Sequence, residues 1–202
     1  MRSKPAIITL LAIAPFLYTP NTIGQYSSEM RQDPAFQDTL ASMQDGWSTI
    51  ESKYFTIYLE AGVDAKRVQR RLNDRMFYTY PAHRPDKSAG NEEKIAYRMD
   101  TLLERVKDIL GIYPASMRVQ IKIFKTRREL NDEFARIVAR RQEIKSFYVH
   151  KYETIYASEA DINDSIIAHE MGHAVVDHYF MVIPPEKFAE MLASYVDLHL
   201  DD

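Results

Sequence analysis

The chain has 202 residues, with 29 acidic against 26 basic side chains, a formal charge of −3, and no cysteine. That length accommodates one ordinary domain with a targeting segment and a linker, but not two full domains. There is no basic arm or face of the kind a nucleic-acid binder needs, and without cysteine there is no disulfide framework, so any metal has to be held by His and carboxylate.

Residues 1–24, "MRSKPAIITLLAIAPFLYTPNTIG", carry Arg2 and Lys4 ahead of an apolar run from Ala6 to Tyr18 and contain no acidic residue. This is the pattern of a secretory signal peptide. The run is shorter than the roughly 20 apolar residues a membrane-spanning helix wants, and Pro15 and Pro20 interrupt it. The alternative is an uncleaved amphipathic or buried segment. Cleavage after Gly24 removes two basic residues and no acidic one, taking the charge from −3 to −5. The expectation is an exported protein, periplasmic or secreted, with no membrane span once the signal is removed. Residues 25–48 are polar and without sustained period, a leader or linker, with Trp47 placed to anchor it. The domain proper is expected over 49–202.

In chain order, "YFTIYLEA" (54–61) has the β-branched and aromatic content of a strand. A helix follows from Asp64 to Phe77, then a loop through "YTYPAHRPDKSAGN". Ile95, Met99, Leu102, Leu103, Val106 and Leu110 recur at three- and four-residue steps and predict a long helix closed by Gly111. "MRVQIKIFKT" alternates Val119, Ile121 and Ile123 with polar residues, the period of a strand with one buried face. Thr126 and Glu129 form a capping box, opening a helix that runs to Arg141. "SFYVHKYETIYAS" (146–158) reads as strand, with a hairpin around Lys151. A helix then carries "IIAHEMGHAVVDHYF", and Pro185 stands at the first turn of a last helix running to Leu200. The order β-α-α-β-α-β-(β)-α-α gives an α+β domain with a mixed sheet.

His169 and His173 stand four apart, so on a helix their imidazoles share one face and can converge on one ion. Zinc at about 2.0–2.1 Å from two imidazoles needs a further protein ligand, with water in an open position, and Glu170 beside the first ligand can act as the base for that water. HExxH has three fixed positions and also arises by chance, as partly buried polar residues capped by Glu170 or Asp177. The next helix adds Glu186 and Glu190 as candidate third ligands. Glu190 shares a face with Ser194 and Asp197, so one carboxylate can bind metal while another orients an imidazole. Glu186 is explained by the helix dipole. Gly172 fits a close approach between helices.

At these residues the sequence resembles the gluzincin metallopeptidases, in which HExxH on one helix and a Glu on the following helix bind zinc. "HEMGHAVVD" is similar to the thermolysin helix, and "AEMLASYVD" looks like the aminopeptidase-N-type segment around its third ligand. The resemblance implies a zincin-like fold: a mixed sheet, an active-site helix carrying HExxH, and a C-terminal helix carrying the third ligand. By position it implies His169, His173 and Glu190 as zinc ligands, Glu170 as the catalytic base and Asp177 as a supporting residue. A metzincin is excluded, since Val176 and Tyr179 stand where that pattern needs Gly and His. The helical subdomain that supplies an oxyanion donor in such peptidases is not expected between Glu190 and Asp202. That leaves His178, Tyr179, Tyr195 and Tyr156 as candidates, with no choice among them.

The remaining histidines read as ordinary: His178 and His199 as packing or surface residues, His83 and His150 without a partner at ligand spacing. "ARRQEIK" (139–145) and "RVQRR" (67–71) read as solvated basic faces of helices. The expectation is therefore an exported zinc metallohydrolase, a peptidase acting on a peptide or protein, with an edge strand near Glu153–Ser158 to hold an extended substrate. Two alternatives stand beside it: a non-catalytic zinc-binding or interaction domain derived from a peptidase, and, more weakly, a carbohydrate-binding module suggested by the 13 tyrosines. A protein partner that completes the cleft is compatible with the first.

Overall fold

A computed structural model describes residues 46–72, 85–86, 88–182 and 184–202. The signal segment at 1–24, most of the leader, and the loop with the end of the preceding helix (73–84) lie outside the described residues. Among the described residues no helix is long and apolar enough to cross a membrane.

The elements run β1 (Ser48–Glu51), β2 (Phe55–Leu59), α1 (Ala65–Arg71), α2 (Asn91–Leu110), β3 (Val119–Phe124), α3 (Arg127–Val138), β4 (Ser146–Val149), β5 (Thr154–Ser158), α4 (Asp164–Tyr179) and α5 (Glu186–His199). The fold is α+β, built on one mixed five-stranded sheet of order β1-β2-β3-β5-β4. The three central strands are parallel and both outer strands antiparallel to their neighbours.

Strand alternation separates the two faces of this sheet. In register, Ile50, Ile57, Ile121, Ile155 and Tyr148 form a row across all five strands. They belong to the larger core, where α2 contributes Ile95, Met99, Leu102, Leu103 and Val106 and α4 contributes Ile167, Met171 and Val175. The opposite face carries the row Tyr58, Lys122, Tyr156 and Phe147. There Phe124, Phe147 and Tyr156 meet Leu130 and Phe134 of α3 in a second core. The Phe147 and Tyr156 rings stack at 4.5 Å, with Phe134 edge-on to Phe147 at 5.1 Å.

The apolar stripe of α2 forms as its period predicts, and Gly111 ends the helix in the left-handed conformation that glycine adopts without strain (φ 63). Thr126 and Glu129 make the reciprocal capping box at the start of α3. The hairpin around Lys151 forms through a single 3-10 turn, His150–Tyr152.

Four expectations change. A strand precedes the first one read from sequence: Ser48 is already in β1, and Trp47 packs edge-on against Phe124 at 5.3 Å, so the core reaches back past the boundary drawn at residue 48. Helix α3 stops at Val138 because Ala139 turns left-handed (φ 54), which leaves "RRQEIK" on a connection instead of a helix. Pro185 occupies the cap of α5, with extended backbone, instead of its first turn. Finally, β5 is interior, paired to β3 and β4, so the sheet edge on this side is β4.

Candidate metal centre

Helix α4 is anchored before it presents any chemistry. Asn163 caps it by accepting from the Ile166 N–H at 3.0 Å. Behind the first turn, Arg98 of α2 pairs with Asp164, both nearly buried. Gly172 sits where α5 crosses. A Cβ built there would lie 3.2 Å from Ala193 Cα and 3.5 Å from its Cβ, so the missing side chain is what lets the helices come this close. The expected role of that glycine is thus seen directly.

That closeness brings the ligand groups of three residues together. His169 Nε2 and His173 Nε2 are 3.3 Å apart, and the Glu190 carboxylate oxygens lie 3.5 Å from His173 Nε2 and 3.7 Å from His169 Nε2. His169, His173 and Glu190 are the group among the described residues with metal-ligand spacing. Ligand atoms about 2.0–2.1 Å from a tetrahedral zinc ion stand about 3.3–3.4 Å from one another, so the set fits zinc with little adjustment. The donor chemistry fits as well, since two imidazoles and a carboxylate suit a borderline cation. Glu186 is exposed in the first turn of α5 and takes no part.

His169 Nδ1 faces Asp197 Oδ2 at 3.0 Å. A proton held on Nδ1 by that carboxylate leaves the Nε2 lone pair aimed at the shared point, the usual way in which a carboxylate sets the tautomer of a ligating imidazole. Burial pulls the His169 imidazole down, but the Asp197 bond and the negative charges of Glu170, Asp197 and Glu190 outweigh it, leaving it above its ordinary value. His173 is pulled down to about 3 by burial and by its neighbour His169, so it is neutral and its nitrogens are free of added protons at physiological pH. Its Nδ1 is buried without a hydrogen-bond partner among the described residues.

Glu170 is fully buried. Burial pushes its carboxyl up to about 7, against the opposing pull of His169 and of the Ser146 hydrogen bond. Ser146 Oγ donates to Glu170 Oε1 at 2.7 Å, while Oε2 has no hydrogen-bond partner among the described residues.

Asp177, expected to support the metal ligands, lies elsewhere. It accepts from the Tyr148 hydroxyl at 2.6 Å and forms an ion pair with His150, latching the end of α4 to β4 and its turn. The orienting carboxylate is Asp197. His150 accordingly has a partner that spacing alone did not show. Burial lowers its imidazole, but the Asp177 bond and charge raise it to a net value above the ordinary. His178 Nδ1 and His199 Nδ1 each hydrogen-bond the carbonyl one turn back, at 2.9 Å, as ordinary helix side chains do.

Among the four candidate oxyanion donors, Tyr156 is removed by topology, being buried in the core on the opposite face of the sheet. Tyr179 is exposed, and Tyr195 lies on the outer side of α5 against the His199 ring at 4.0 Å. Residues that spacing could not find are Ser146 and Tyr148, brought to α4 by one face of β4, and His150, brought there by the turn that follows it. Their only sequence signal is two-residue alternation, which does not say which helix they meet. Comparison with known protein families, curated proteins and solved structures gave no match.

Proposed function

We propose that the chain is an exported zinc-dependent hydrolase, a peptidase of gluzincin type, in which His169, His173 and Glu190 hold the metal and Glu170 is the general base. The observation that carries this is the meeting of two imidazole nitrogens 3.3 Å apart with the Glu190 carboxylate, whose two oxygens lie 3.5 and 3.7 Å from them, while Glu170, next in sequence to His169, is a buried carboxylate with one oxygen unengaged among the described residues. Zinc bound there supplies Lewis acidity, polarising a substrate carbonyl and making water easier to deprotonate.

The rest is done by the chain. Asp197 holds His169 in the tautomer that offers Nε2. Glu170, a buried carboxylate with one oxygen unengaged among the described residues, would take a proton from attacking water and return it to the departing amine. The surrounding core excludes bulk solvent, while the partly exposed Glu190 and Asp197 mark the side from which substrate approaches.

The test is metal content and peptide hydrolysis measured together on wild type, Glu190→Ala and Glu170→Gln. Zinc is expected to bind wild type and Glu170→Gln and to be lost or much weakened in Glu190→Ala, with hydrolysis falling by about 10²–10⁴-fold in Glu170→Gln. Full hydrolysis by chelated protein, or by Glu170→Gln, would refute the proposal. One observation favours a second reading, a non-catalytic domain with a structural zinc: both histidines are only 2% exposed and Glu170 is 0% exposed. Four protein ligands on the metal, and unfolding instead of mere inactivation on chelation, would select it.

A further inference from the structure

Ser146 opens β4, is 3% exposed, and stands opposite Ala157 in the sheet. That register places it at the end of the row Leu59, Ile123, Ala157, on the face against which α4 packs. The chain enters this position through a fixed point, the Ile144 N–H donating to Asn131 Oδ1 at 3.0 Å. Two residues further on, Tyr148 meets Asp177, so one strand face holds two carboxylates that are two turns apart on α4.

The two oxygens of Glu170 are therefore unequal. Oε1 accepts from the Ser146 hydroxyl, and Oε2 is buried with no partner among the described residues. Buried carboxylate oxygens are seldom left unengaged, because the lost hydration is not recovered in folding, and one that is left so points to a role other than stability. We infer that Ser146 is a positioning residue: its hydroxyl commits Oε1 to the protein and so fixes Oε2 as the oxygen that exchanges the proton. The inference rests on the hydrolase reading for its consequence, but the orientation of Glu170 can be observed without it. A serine suits this task because its hydroxyl donates to the carboxylate while the small side chain lets the strand lie close to the helix. Alanine would remove the donor with little change in shape. Threonine would keep it.

The experiment uses the zinc-loaded full chain as wild type, Ser146→Ala, Ser146→Thr, Glu170→Gln and the Ser146→Ala/Glu170→Gln pair. Crystal structures of wild type and Ser146→Ala are expected to show one Glu170 orientation in the first and more than one in the second. With a peptide substrate, kcat should fall about ten- to a hundredfold in Ser146→Ala, with KM and zinc content unchanged, and should recover in Ser146→Thr. In the Glu170→Gln background the alanine change should cost nothing further, which holds as a test even if the threonine variant folds poorly. An unmoved Glu170 in Ser146→Ala, or an equal loss of kcat with and without the Glu170 carboxylate, would overturn the inference. If wild type hydrolyses no peptide, the hydrolase reading falls while the crystallographic comparison still decides the position of Glu170.

Discussion

Lys122 offers the best-defined energetic test of the fold. It lies in the middle of β3, on the sheet face away from the metal centre, and is only 4% exposed. Burial pulls its ammonium down to about 8, with Glu133 opposing that shift and Arg136 adding to it. At about 1.4 kcal/mol per unit, the drop from 10.5 means that the charged form costs the native state about 3 kcal/mol at neutral pH. For a lysine lowered on folding the sign is fixed. Between pH 8 and pH 10.5 the unfolded chain holds the proton and the native chain does not, so stability rises with pH across that window. Below it the full cost applies. Lys122→Met keeps the length of the side chain and removes the charge, forfeiting the contact of the ammonium with the Tyr156 ring at 5.6 Å. A cation over an aromatic ring contributes about 0.5–1 kcal/mol, so the variant should be about 2 kcal/mol more stable at pH 7. At about 2–4 °C per kcal/mol for a chain of this size, that is a rise of about 4–8 °C in Tm. Urea unfolding at pH 7, 9 and 10.5 should show the advantage shrinking towards zero as pH rises. A variant no more stable than wild type at pH 7, or an advantage independent of pH, would refute the account.

Two further variants probe how the metal centre is held. Gly172→Val places carbon where the Ala193 backbone is already 3.2 Å away, so α5 must shift, and a loss of about 1–3 kcal/mol is expected in denaturant unfolding. Zinc affinity, read by competition with a chromogenic chelator, should weaken although no ligand has changed; unchanged affinity would mean that the helix spacing does not set the site. Arg98→Met removes the ion pair from buried Asp164 and should cost about 3–5 kcal/mol, whereas Arg98→Met combined with Asp164→Leu should regain most of it. Additive losses in that cycle would show that the two side chains are not coupled.

Local chemistry was legible in the sequence, and long-range pairing was not. The stripe of α2, the Thr126 capping box and the convergence of His169 with His173 each depend on residues within four positions of one another, so spacing is enough to read them. Glu190 could be preferred over Glu186 because helical geometry put it on a face with Asp197. The order of the strands is a different matter. Both β4 and β5 are buried, since α4 covers one face of the sheet and α3 the other, so apolar content marks β4 as readily as β5 for the interior and does not identify the edge. Strand β1 escapes because three of its four residues are exposed, which leaves no alternation to detect. Ser146 escapes for another reason. Its bond to Glu170 spans 24 positions and depends on sheet register, and nothing in a serine announces a carboxylate beyond it.

The two helices that make the centre are held in different ways, and this orders the consequences of change. Helix α4 is secured at its first turn by the Asn163 cap and the Arg98 pair, and near its end by Tyr148 and His150 on Asp177, with His169, Glu170 and His173 midway between. Those anchors lie in the main core and in the sheet, so loosening them disturbs folding before it disturbs the metal. Helix α5 meets α4 at the Gly172 crossing, and Arg105 reaches the His199 carbonyl at 3.0 Å near its end. Its Phe188, Met191 and Leu198 are exposed, so less of its surface is tied to the core. Glu190, the proposed third ligand, and Asp197, which faces Nδ1 of His169, both ride on this less encumbered element. A cation bound by all three residues would stabilise the docked position of α5 by its preference for that position over any other. On the proposed reading, a metal centre so divided would have its pair of imidazoles built in by the fold and its third ligand placed by helix contact, so the stability of the α4–α5 contact and the affinity for metal would be linked quantities.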